Sequence, residues 1–189
     1  MEFDELINKI NQEIENDCKQ IISKVDTYKQ NKTSINENLS GNAFDIVIPV
    51  SPKSTTQCFK QSDFSALKGK AGVYVFIIDV ACQIMPGFNK PNKYRAKLRD
   101  ENRKQFIKGD VLYIGKCKQL DFRMKSHMDN SETNRVGSLK LLVDERKNLI
   151  GNFTAYFFCL KDIYVDYYSI IATKAEKYLR KELSPLVGQ

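Results

Sequence analysis

Gly72-Val73-Tyr74-Val75-Phe76-Ile77-Ile78-Asp79-Val80 is the stretch on which the fold turns. It is rich in β-branched and aromatic residues, which favour a pleated surface, so it reads as a strong strand. Further along, Val111 to Ile114 predicts a second strand ending in Gly115, and aromatic-rich Asn152 to Leu160 a third. Before it, Phe44 to Val50 predicts a short strand stopped by Pro49 and Pro52. Helical spacing predicts helices from about Leu120 to Met128, from Leu139 onward, and from Tyr167 to Leu183, the last closed by Pro185. At the N-terminus, Leu6, Ile7, Ile10, Ile14, Ile21, Ile22 and Val25 recur at helical spacing, predicting one amphipathic helix over residues 1 to about 30. That helix either packs on its own domain or pairs with a second chain to make a homodimer. Asn31 to Asn42 is polar and reads as a loop. The order of elements points to a small mixed α/β or α+β domain.

The 189 residues suffice for one compact domain with a hydrophobic core. The net charge of +7 favours a polyanionic partner, because each neutralised phosphate releases counterions. No apolar run approaches the roughly 20 residues that cross a bilayer, and the acidic start Met1-Glu2-Phe3-Asp4-Glu5 lacks the basic region of a signal peptide. The expectation is a cytoplasmic protein with no membrane partner. The 5 cysteines are dispersed and contain no Cys-x-x-Cys, so incidental or buried thiols fit better than disulfides or a zinc knuckle. With His127 the only histidine, no multi-histidine metal site can form.

Four pieces carry chemistry. Gly72-Val73-Tyr74 opens one strand, and Tyr113-Ile114-Gly115, followed by Lys116, closes the next. Arg123 and His127 stand at i and i+4, on one helical face. Glu176 lies on the last helix. Singly, each has an ordinary structural explanation: a core aromatic, a turn glycine, a solvated helix charge. Together, in this order and spacing, they do not.

The chain resembles the GIY-YIG nuclease family, with Gly72-Val73-Tyr74 and Tyr113-Ile114-Gly115 as the two name-giving tripeptides. The resemblance runs on through Tyr-Ile-Gly-Lys-Cys, then Arg123 and His127, then Glu176 in Ala-Glu-Lys-Tyr-Leu, covering roughly residues 65 to 188. It implies an α+β fold with a small three-stranded antiparallel sheet flanked by helices. Residues 1–64 then form an N-terminal helical extension with a linker and strand, and 65–189 the nuclease-like domain, with a basic insertion at about 81–110 between the first two strands. It also implies a metal-dependent endonuclease acting on double-stranded DNA. Glu176 would hold one divalent cation, Mg2+ or alternatively Mn2+, which favours oxygen ligands completed by water and phosphate. Tyr74 would be the general base with His127 taking its proton, Tyr113 would orient the water, and Arg123 would grip a phosphate oxygen with its planar fork. Lys116 would touch phosphate, and Lys97, Arg99, Arg103 and Lys104 in the insertion would bind DNA. Lys97-Leu98-Arg99 followed by Arg103-Lys104 suggests cations on neighbouring helical turns.

Two features depart from the family pattern. The tripeptides are usually joined by a short hairpin, and no asparagine follows Pro185, Gly188 standing in that region instead. A stand-alone chain with extra segments resembles the family's type II restriction endonucleases. The alternatives are a repair or mobile-element nuclease of the same family, or a non-catalytic DNA-binding module on the same fold.

Overall fold

The computed structural model describes residues 3–29, 43–48, 61–78, 82–83, 98–100, 102–128, 153–160 and 166–188. In chain order its elements are α1 (Phe3–Lys29), β1 (Ala43–Ile48), a 3-10 turn (Gln61–Leu67), β2 (Gly72–Ile78), β3 (Cys82–Gln83), β4 (Gln105–Phe106), β5 (Val111–Cys117), α2 (Leu120–Met128), β6 (Phe153–Cys159) and α3 (Tyr168–Leu183). The protein is α+β, and the three antiparallel strands β2, β5 and β6 are present. A fourth, β1, extends the sheet beside β6, giving the order β1-β6-β2-β5.

Strand β2 is the centre. It pairs with β6 on one side and β5 on the other, and every one of its residues is buried. Side chains alternate across a strand, which explains the division of the core. Val73, Val75 and Ile77 face α1 and α3, while Tyr74, Phe76 and Ile78 face α2 and the 3-10 turn. Tyr113 pairs with Phe76 and so shares a face with Tyr74, while a bulge between Phe76 and Ile77 brings the adjacent Leu112 into the same core cluster.

Helix α1 resolves the choice left by its sequence pattern in favour of packing on its own chain. Ile10, Ile14, Cys18, Ile21 and Val25 form its buried stripe, against α3 and the sheet. Cys18, Cys117 and Cys159 are buried and form no disulfide with one another. Helices α2 and α3 fall within a residue of their expected bounds. The expected helix from Leu139 and the loop over Asn31 to Asn42 lie outside the described residues.

The free edge of β5 is covered by the chain's own tail. Ser184 ends α3 in the left-handed conformation at φ 44°, and Pro185 prevents its continuation. The tail then turns back: Leu186 N–H donates to the Val111 carbonyl and Val187 N–H to that of Leu112, both at 2.9 Å. Leu98 bridges Val187, and Arg99 N–H donates to the Leu186 carbonyl at 2.8 Å. A covered edge is protected from pairing with a foreign strand.

Among the described residues the basic stretch is not helical, which corrects the expectation of cations on successive helical turns. Leu98 and Phe106 are drawn into the core, and β4 pairs with β3. Burying those two side chains against the sheet outweighs whatever helix propensity the intervening charges carry.

Candidate active site

Tyr74 sits mid-strand on β2 with its side chain wholly buried. Its hydroxyl oxygen lies 2.7 Å from His127 Nε2, and Arg123 Nε donates to the same oxygen at 3.1 Å. Arginine can only donate, so Tyr74 Oη accepts that bond. His127 Nε2 accepts the Tyr74 proton in the tautomer protonated at Nδ1 and donates to Tyr74 Oη in the other. Its ring is wedged between those of Tyr74, Phe76 and Tyr113, with centroids 5.2 to 5.3 Å away. Spacing of i, i+4 on α2 puts Arg123 and His127 on the face turned to the sheet, where both are buried.

Burial pushes the Tyr74 hydroxyl well above the usual tyrosine range, and the Arg123 charge pulls only partly against that. Burial also works against the Arg123 charge, but Tyr74 and Tyr113 outweigh it and hold the guanidinium firmly protonated. The resting pair is therefore a neutral phenol beside a fixed cation, with His127 Nε2 at hydrogen-bond distance from the phenol.

Gly115 stands directly across from Tyr74 in the β2–β5 register. A Cβ there would meet Tyr74 Oη at 2.5 Å and Tyr113 Cε1 at 2.7 Å. The glycine does not serve a turn, as its position after the expected strand had implied. It lies inside β5 and leaves room for two tyrosines.

The other half of the site comes from α3, across the sheet. Glu176 has a side chain 17% exposed, and each of its oxygens holds a cation: Lys116 Nζ lies 3.0 Å from Oε2 and Arg180 Nε 3.2 Å from Oε1. Lys116 also donates to Thr173 Oγ1 at 2.7 Å. Arg180 reaches the Ile114 carbonyl with Nη2 at 2.5 Å, and its guanidinium carbon is 5.6 Å from the Tyr113 ring centre. Arg180 thus joins the Glu176 half to the tyrosine half. Sequence reasoning missed it, although its i+4 spacing from Glu176 was a usable signal.

No group of three or more His, Cys, Asp or Glu side chains gathers among the described residues. The donor set near the site is the partly buried Glu176 carboxylate, held by two cations. That suits a hard divalent cation that keeps most of its water and shares phosphate oxygens, and does not suit a protein-caged metal. Of the two cations now on Glu176, Lys116 is the one that can yield, being a single ammonium on a flexible stem.

The expected DNA contacts separate on the structure. Arg99 is exposed and donates through Nε to the Gly188 carbonyl at 2.9 Å, which sets it beside the site. Arg103 is paired with Asp110 and donates to the Gln105 carbonyl, so its charge is used inside the loop. Lys104 is exposed, and Lys97 lies outside the described residues. No family model, curated protein sequence or solved structure matches the chain.

Proposed function

We propose that this protein is a metal-dependent DNA endonuclease of the GIY-YIG type, with sequence-specific type II restriction as its role. The observation that carries the reading is the buried hydrogen-bonded cluster of Tyr74, Arg123 and His127, tied through Tyr113 and Arg180 to Glu176. Four sequence motifs far apart in the chain converge on one edge of one sheet, a placement that core packing alone does not require.

Phosphodiester hydrolysis needs a deprotonated water, a partner for charge at phosphorus and help for the leaving oxygen. Tyr74 accepts a proton from the attacking water as its own hydroxyl proton passes to His127 Nε2. The coupled transfer matters because a phenolate formed alone in this buried setting is costly. Arg123 holds a phosphate oxygen and steadies the Tyr74 oxygen. Tyr113, slightly exposed at 7%, orients the water. Magnesium on Glu176 would supply Lewis-acid stabilisation of the leaving oxygen. Lys116 turns from Glu176 to a phosphate, and Arg99 and Lys104 add backbone contacts that fix register on the duplex.

The test is digestion of a plasmid of known sequence, with magnesium and with chelator, followed by sequencing of the ends. Magnesium-dependent cutting at one recurrent sequence is expected. The Glu176→Ala variant should lose cleavage and bind the same duplex with nearly unchanged affinity in a fluorescence titration. Retained cleavage by that variant in magnesium contradicts the metal assignment.

A further inference from the structure

Resting on the nuclease reading, the geometry points to Arg180 as a positioning residue: it clamps Glu176 to the strand that carries Tyr113, and so sets the two halves of the site against each other. Arg180 lies one helical turn beyond Glu176 on α3 and binds its Oε1 through Nε at 3.2 Å. The same planar group reaches out of its helix to the Ile114 carbonyl at 2.5 Å. Ile114 lies on β5, next to Tyr113, and the guanidinium carbon sits 5.6 Å from the Tyr113 ring centre.

Two further facts show that this place is built for the group. The side chain is only 18% exposed. The tail then closes over it at Gly188, where φ is 91°. A Cβ at that position would sit 3.2 Å from Tyr113 Cε2 and 3.5 Å from both Nη atoms. Glycine is needed for the left-handed backbone and for the close approach alike. The planar fork holds a carboxylate and a carbonyl from two separate nitrogens of one rigid group, whereas lysine would have to reach both from a single nitrogen on a flexible stem. Arg180 directs Nε to Glu176 and Nη2 to the Ile114 carbonyl, so it acts through Glu176 and the Tyr113 strand instead of through substrate. Misplacing a catalytic group by about 1 Å can lower a rate by about a hundredfold.

The experiment compares wild type with Arg180→Ala and Arg180→Lys in the full chain. It measures single-turnover cleavage at saturating DNA and magnesium, duplex affinity, Mn2+ affinity by electron paramagnetic resonance, and thermal midpoint. Both variants should cut at least about thirtyfold more slowly, the scale of a lost alignment. They should bind DNA and Mn2+ within about threefold of wild type, because Glu176 and Lys116 remain. Added millimolar guanidinium chloride should restore part of the Arg180→Ala rate, and ammonium chloride should not. A wild-type rate in either variant overturns the role, as does a rate loss matched by lost Mn2+ and DNA affinity without guanidinium rescue. A wild-type protein that cuts nothing under these conditions overturns the nuclease reading itself, which keeps the two failures distinct.

Discussion

The hydroxyl oxygen of Tyr74 is the atom on which the site converges. It faces a cation, a histidine nitrogen and the bare α-carbon of Gly115. The glycine makes this crowding possible. Its φ is not positive, so its backbone would accept alanine; only the space forbids it. Both clashing atoms belong to buried aromatic rings, which cannot swing aside as the end of a flexible side chain could. Gly115→Ala should therefore displace Tyr74 and Tyr113 together. The expected cost is about 1–3 kcal/mol of stability in urea titration, the usual range for overpacking. The expected loss in cleavage is about a hundredfold or more. An alanine variant that cuts like wild type means that the two tyrosines need no such clearance. The sequence showed this glycine but not its reason. The cross-strand register that sets it opposite Tyr74 is a long-range fact that local residue types do not encode.

At the scale of elements, legibility followed locality. Strands β2 and β6 were plain from their apolar and aromatic runs, and α2 and α3 from their spacing, because local propensity and tertiary packing agree there. Three features were hidden. The tail pairing at Leu186 and Val187 depends on where α3 ends relative to β5. The path of the basic stretch is set by two apolar anchors, Leu98 and Phe106, against which the many charges carry little weight. Arg180 was hidden among the other basic residues of α3, such as Lys177 and Lys181. Helix α1 was visible as an element, and its apolar stripe left two partners open, its own domain or a second chain. Its fully buried Ile21 packs among α3 and sheet residues, so Ile21→Ala should cost about 3 kcal/mol through lost burial and a residual cavity. Denaturant unfolding at several protein concentrations checks this. A shift of less than about 0.5 kcal/mol, the scale of a surface change, contradicts the packing, and a strong concentration dependence points to a partner chain instead.

The described residues form a four-stranded antiparallel sheet with helices on both faces and a separate two-stranded ribbon, and the candidate site sits astride the β5 edge of the larger sheet. One face supplies Tyr74, Tyr113, Arg123 and His127; the other supplies Lys116, Glu176 and Arg180. That division explains why the residues are so dispersed in sequence: a site at a sheet edge draws on strands and helices from both layers. The net charge of +7 gives the molecule a general electrostatic attraction for polyanions. The most direct test of the account is side-by-side plasmid cleavage in magnesium by wild type and Tyr74→Phe, with circular dichroism to confirm that both are folded. Phenylalanine keeps the ring and removes only the hydroxyl on which Arg123 and His127 converge. The account predicts metal-dependent cleavage by wild type and a rate at least about a hundredfold lower in the variant, the scale of losing a general base. Equal rates for the two proteins, or no cleavage by wild type, would contradict it.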